Sequence, residues 1–173
     1  MGEVPPLTRL REKYRPKGFE FFIVYVREAH PGENFPHHAS FEQKLAHARK
    51  LRELERVEIP ILLDDLAGTA HRAYGLLPNM VYLIERGGTI VYKSDWTDSQ
   101  ELDGVCESLL RLDEMKERGA PIIRKGVSER LHWIPMEPAE RERIYRRSGA
   151  KAIKDYLNAK GHLPYAPDRE IKK

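Results

Sequence analysis

The amino-acid sequence predicts an α/β fold: a mixed sheet with flanking helices, followed by a C-terminal helical extension. Three observations carry this. The apolar, β-branched and aromatic runs "FEFFIVYV" (19–26) and "IPILLDD" (59–65) read as strands covered on both faces, with a helical segment between them. "NMVYLIERGGTIVYK" (79–93) reads as two strands joined through Gly87-Gly88, a strong hairpin signal. "DSQELDGVCESLLRLDEMKERG" (98–119) then closes the order with an amphipathic helix.

Taken in order, "PPLTRLREKYRPKG" reads as a short helix with prolines in its first turn, Leu7, Leu10 and Tyr14 on one face, and Gly18 after its end. The first strand run follows, and "HPGENFPHHAS" is a long polar loop. Ser40 is placed to cap the helix "FEQKLAHARKLRELE", which turns Leu45, Ala48, Leu51 and Leu54 inward. The second strand run leads into "LAGTAHRAYGLL", a short helix ending near Gly75. After the hairpin, the closing helix carries Leu102, Val105, Leu109 and Leu112 on its inner face. Beyond Gly119 the pattern changes. "APIIRKGVSERLHWIPM" is irregular, with one short strand, and "EPAERERIYRRSGAKAIKDYLNAKG" reads as two helical pieces broken near Ser148-Gly149. Pro138 opens the first piece and Gly161 closes the second. The expected division is therefore 1–118 for the α/β domain and 119–173 for the extension.

The chain has 173 residues, 40% of them hydrophobic and 33% charged, the make-up of a soluble globular protein with a highly charged surface. No apolar run is long enough to cross a bilayer, and the N-terminus lacks the apolar core of a secretory signal, so a cytoplasmic location and no membrane partner are expected. Residues 1–110 hold 14 Lys+Arg against 17 Asp+Glu, while residues 111–173 hold 16 against 10. That mild basic excess in the tail reads as a solvated face, and nucleic acid is not an expected partner. The one cysteine, Cys106, cannot form an internal disulfide or a CxxC pair. It lies beside the apolar stripe of its helix and reads as a structural thiol. Trp96 and Trp133 read as packing residues.

Polar residues follow directly on the first strand run: Glu28 and His30 in "VYVREAHP". A buried strand needs neither. They either handle protons at a site or pin the following loop by hydrogen bonds. His30, His37, His38 and His47, with Glu28 and Glu33, also make a His-rich loop and helix start whose side chains suit zinc or iron. The spacing matches no metal motif, and the adjacent His37 and His38 point apart on extended backbone, so no metal is expected and a polar loop is the preferred reading.

The order of elements resembles the thioredoxin fold, and "YGLLPNMVYLI" resembles the segment in which that fold has a cis proline facing its active site; the resemblance makes Pro78 that proline. Within the fold, "VYVREAHP" resembles the strand end of the iodothyronine deiodinases, with Tyr25, Glu28 and His30 matching the family's Tyr, Glu and His. "VPPLTRLREKY" is similar to the segment in which the family has a selenocysteine or cysteine followed by two prolines, and "HRAYGLLPNMVYLIERGGTIVYK" resembles a later part. The resemblance covers about residues 4–110. It implies an oxidoreductase of the reductive dehalogenase or thiol peroxidase type without a cofactor. Glu28 and His30 would handle protons there, and Tyr25, Pro78, Pro5 and Arg72 would shape the pocket, with Tyr74 and Asn79 near the proline. It also puts Val4 at the nucleophile position. A valine cannot attack iodine, a peroxide or a disulfide, so the family relationship is expected without thiol or selenol catalysis in this chain. A Val4→Cys change is expected to create a reactive thiol. The second expectation is a non-catalytic module that binds a small molecule or partner through the same pocket and the basic tail. The third is a metal-dependent enzyme built on the His-rich loop. The chain begins three residues before Val4, so the strand that usually precedes the nucleophile is expected to be missing. The exposed sheet edge is then expected to be covered by the tail or, through homodimer formation, by a second copy.

Overall fold

The computed structural model describes residues 4–122, 143 and 146–161. Its elements are α1 (Val4–Tyr14), β1 (Ile23–Tyr25), α2 (Phe41–Leu54), β2 (Ile61–Leu63), α3 (Thr69–Tyr74), β3 (Val81–Ile84), β4 (Ile90–Ser94), α4 (Ser99–Glu117) and α5 (Ala150–Gly161). The architecture is α/β, with helices flanking short strands in the thioredoxin-like order expected.

Local signals set most boundaries. The α1 helix carries Pro5 and Pro6 in its first turn, where missing N–H donors cost nothing, and passes into one 3₁₀ turn before Gly18. Ser40 caps α2 by accepting a hydrogen bond from the Gln43 N–H at 3.1 Å. Asp98 does the same for α4, accepting from the N–H groups of Gln100 and Glu101. The β3–β4 hairpin turns through Gly87-Gly88, where Gly88 N–H donates to the Glu85 carbonyl at 2.8 Å. The expected break in the extension falls at Gly149, whose φ of 109° is left-handed and ends one helical segment before α5 begins. The short strand expected within 120–136 and the helix opened by Pro138 lie outside the described residues, as does Trp133.

The single mixed sheet divides, among the described residues, into two pairs: β1 with β2 in parallel, and β3 with β4 antiparallel. The α1 helix joins the halves. Its C-terminal part packs Leu10 and Tyr14 with Tyr92, Leu102 and Cys106 over the hairpin. Its first residue, Val4, packs with Val57 and Ile59 beside the parallel pair. Leu7 and Phe21 border both clusters. A third cluster, Tyr25 with Ala48 and Leu51, seats α2 on the parallel pair.

Three expectations are corrected. The runs read as two-sided strands are covered on one face only: Phe22 is 57% exposed, Val24 47% and Leu62 49%. Their inward neighbours alternate with them, as period-2 geometry requires. On α2, Leu54 is exposed, and the buried face runs through Lys44, Ala48 and Leu51 instead. Finally, the Leu77–Pro78 peptide is trans, not cis. It sits in a turn held by His71 Nε2 at 3.3 Å from the Leu77 carbonyl and by Thr97, which donates to the Asn79 carbonyl at 2.8 Å. Trans is the ordinary state of an X–Pro bond, and nothing in the residues themselves favoured the other form. No helix among the described residues is long and apolar enough to cross a membrane.

The hairpin-side core turns on Tyr14. Its ring is fully buried, and its hydroxyl meets the Asp103 carbonyl and Glu107 Oε1, each at 3.0 Å. Tyr14→Phe is expected to cost about 1 kcal/mol for the lost hydrogen bonds, and Tyr14→Ala about 3–5 kcal/mol for the cavity, read from urea unfolding. An Ala variant as stable as the Phe variant would show that the cluster does not hold the halves together.

Candidate functional site at the carboxyl end of the parallel pair

Register places the site. Ile23, Val24 and Tyr25 pair with Ile61, Leu62 and Leu63, so both strands end at the same edge. Tyr25 points inward against Ala48 and Leu51, and the Asp64 N–H donates to its carbonyl at 3.2 Å. Three residues on, Glu28 Oε1 accepts a hydrogen bond from the Tyr25 hydroxyl. Burial, and then that bond and the carboxylate's charge, raise the pKa of Tyr25 and keep it protonated.

His38 comes down onto this pair from the loop before α2. Its side chain is 6% exposed and that of Glu28 17%. Its Nε2 lies 3.3 Å from the Tyr25 oxygen and 4.0 Å from Glu28 Oε1. The pKa of His38 falls to about 4, first through burial, then through the neighbouring His47, Lys44 and His37. The imidazole is therefore neutral near pH 7 and can take or pass a proton through either nitrogen. His47, on the inner side of α2, stacks its ring 5.2 Å from that of His38 and 5.3 Å from that of Phe35. Its Nδ1 is buried with no hydrogen-bond partner among the described residues. Glu28, His38 and His47 each offer a ligand atom within 4.8 Å of the others, so these three could hold a metal ion.

The floor is charged. Lys44 is 1% exposed and donates from Nζ to the Asp65 carbonyl at 3.3 Å. Burial lowers its pKa, against the pull of Asp64 and Asp65. Burial likewise opposes ionisation of Asp64, but N–H donors from His71, Ala70 and Asp65 outweigh it and hold that carboxyl below its usual range. The roof comes from the extension. A Cβ at Gly32 would run into the Ser148 carbonyl, so only glycine lets the two segments meet. Asn34 N–H donates to that carbonyl at 3.2 Å, and Glu33 accepts from the Lys151 N–H at 2.8 Å. Arg147 lies over Phe35 and pairs with Glu55. Between floor and roof is a cavity of about 20 Å³ lined by Tyr25, Glu28, Phe35, Leu51, Arg147 and Ser148, room for a single water.

Of the residues singled out in the sequence, the structure brings together Tyr25, Glu28, His38 and His47. His30 sits at the exposed edge of the loop, where desolvation lowers its pKa. Pro5, Arg72 and Pro78 are exposed, Arg72 on α3 facing the Asp65 side and Pro78 in the turn before β3. Tyr74 meets Tyr82 edge to face, and the Asn79 carbonyl accepts from the Thr97 hydroxyl. Val4 is buried with Val57 and Ile59, which precede β2, so it packs at the opposite end of the parallel pair from Tyr25. From Ile59 to Leu63 that is about 13 Å along the chain. Lys44 and Arg147 went unnoticed in the sequence. Lys44 could have been found, since it precedes the inward Ala48 by four residues; Arg147 could not.

The family model described as iodothyronine deiodinase matches residues 1–111. The chain belongs to the iodothyronine deiodinase family. Among curated proteins, the thyroxine 5-deiodinase of Bos taurus is 30% identical over 124 residues, covering 66% of this chain and 40% of that protein. The thyroxine 5-deiodinase of Homo sapiens is 28% identical over 131 residues, 70% and 42% of the two chains. The type I iodothyronine deiodinase of Xenopus laevis is 30% identical over 82 residues, 43% and 32%. The chain thus spans about two fifths of the length of the first two. No solved structure matches. The span that places it among the deiodinases holds Tyr25, Glu28, His38 and His47 but not Arg147 or α5.

The depressed pKa of His38 fixes a sign. Between about 4 and its ordinary value of about 6.5, the unfolded chain binds a proton that the folded chain refuses. The stability that this group contributes is complete above pH 6.5 and drains away as pH falls toward 4. Urea midpoints of the wild type are expected to drop over that window and those of His38→Gln to drop less. Parallel curves would place the titrating group elsewhere.

Proposed function

We propose that this deiodinase-family chain carries the proton-handling part of a reductive dehalogenase-type redox site and does not itself supply the thiol or selenol. The observation that carries this reading is the separation of parts. Tyr25, Glu28 and the neutral His38 stand together, the first two lining a water-sized cavity, while Cys106 is buried in the α1–α4 core with its pKa pushed up to about 11 by burial first and then by Asp103 and Glu107. A thiol in that state is not a nucleophile at neutral pH. Val4, at the family's nucleophile position, is also enclosed in apolar side chains.

Glu28, with Tyr25 donating to it, can accept a proton and return it; His38 can relay it onward. His30, exposed two residues beyond Glu28, is the other side chain proposed to handle protons. A substrate the size of an iodothyronine does not fit the cavity, so the reacting group would approach from the exposed edge of the loop. Arg72, Pro5 and Pro78 would border the path only if the segments around them moved.

With an iodothyronine or a peroxide as substrate and dithiothreitol as reductant, turnover is expected at background, unchanged in Cys106→Ser. Turnover abolished by Cys106→Ser would overturn the reading. Contrary to the sequence expectation, Val4→Cys is expected to stay unreactive toward a thiol probe until the protein unfolds, because the new thiol would be buried among Val57, Ile59 and Leu7.

A second reading, a non-catalytic module that binds a partner, is favoured by the exposed Phe22, Val24 and Leu62, which share one face of the parallel pair. We propose a homodimer as its simplest form. Each of β1 and β3 pairs with one described strand and leaves its other edge to be filled, and symmetric pairing of edges is a common solution. Light scattering is expected to give twice the mass of 20.1 kDa; a monomer that Val24→Lys leaves unchanged in solubility would defeat this.

A further inference from the structure

We propose that Glu28, His38 and His47 form a binding site for one zinc(II) ion. The set is two imidazoles and one carboxylate, the donor combination that zinc takes when a fourth position is left to water. Their ligand atoms all lie within 4.8 Å of one another. A point equidistant from three atoms so spaced is about 2.8 Å from each, against roughly 2.0–2.2 Å in a bound site, so each side chain must close in by about 0.7 Å. Glu28 and His38 are carried by loop segments, and His47 by the first half of α2.

Two further observations point to a ligand. The Nδ1 atom of His47 is buried without a hydrogen-bond partner among the described residues, a cost that coordination removes. And Tyr25 donates its hydroxyl hydrogen to Glu28, the arrangement in which an outer group orients a ligating carboxylate. His38 is neutral near pH 7, with a lone pair to give. Two cations lie near: Lys44 donates to the Asp65 carbonyl with the charges of Asp64 and Asp65 close by, and Arg147, which lines the cavity with Glu28, pairs with Glu55. On the Glu28 side of the site, a cavity lined by Tyr25 and Glu28 has room for one water.

The site does not rest on the redox reading. An ion held here occupies the carboxylate that would otherwise handle a proton, so metal binding and proton handling compete for Glu28.

The test uses the full chain, stripped with a chelator and titrated with zinc against a chromogenic competitor, with cobalt(II) as a spectroscopic substitute. One equivalent is expected to bind. Glu28→Gln, His38→Ala and His47→Ala are each expected to weaken binding at least about tenfold, Tyr25→Phe by roughly tenfold, and His37→Ala not at all. Circular dichroism checks that each variant is folded. Where one is not, the visible spectrum of the cobalt-loaded wild type decides, since a protein-bound four-coordinate ion absorbs far more strongly than the aqua ion. No bound equivalent, an aqua-ion spectrum, or binding lost in His30→Ala or His37→Ala while the three ligand variants retain it would each overturn the proposal.

Discussion

A slip of one residue between β1 and β2 would dismantle the site. The observed register turns Tyr25 inward and sets it opposite Leu63. A strand's side chains alternate faces, so a one-residue shift would send Tyr25 to the exposed side with Val24 and Leu62. Tyr25 joins both halves of the site: its carbonyl takes the Asp64 N–H, tying the ends of the two strands, and its hydroxyl holds Glu28. The apolar packing of Ala48 and Leu51 on its ring is what makes the inward setting the stable one. A polar constellation is thus fixed by a hydrophobic choice made three residues earlier.

The charges around it are arranged so that none is buried alone. An unpaired ammonium in the interior is costly. Lys44 meets the Asp65 carbonyl and lies near two carboxylates, and Asp64 in turn is held by the backbone N–H groups that open α3. A carboxylate at a helix N-terminus is stabilised by those donors and by the local dipole. This anchoring leaves His38 as the group that gives way. Buried, and with His47, Lys44 and His37 nearby, it sheds its proton, and a neutral ring is what either proton relay or metal ligation needs.

What was legible in the sequence was local. Ser40 as a cap, the prolines opening α1, the Gly-Gly turn and the break at Gly149 are chemical signals read within a few residues, and each holds in the structure. Glu28 was legible as a carboxylate following an apolar run, Tyr25 only through the resemblance to the deiodinase strand end, and the structure joins the two by a hydrogen bond. The adjacent His37 and His38 could be predicted to diverge, and they do, one exposed and one buried; which turned inward depended on where Tyr25 lay. The two strand runs misled because apolar residues on both faces imply cover on both faces, and the described chain covers one. Arg147, more than a hundred positions from Glu28, reaches the site through the meeting of Gly32 with Ser148, which no local pattern encodes.

The placement of α1 gives the fold its functional tension. This helix is the only described element whose side chains enter both the hairpin core and the cluster beside β1, with Leu7 and Phe21 at the seam. It cannot slide along the parallel pair without uncovering Val57 and Ile59 at one end or unseating Tyr14 from Asp103 at the other. Burying a valine stabilises by about 1.5–3 kcal/mol, and the Tyr14 network adds to that, so the position is held from both ends. Val4 is therefore kept at the far end from Glu28 by the same contacts that join the two halves of the sheet. The groups that reach Glu28 come from the strand end, the loop and α2, where Tyr25, His38 and His47 stand.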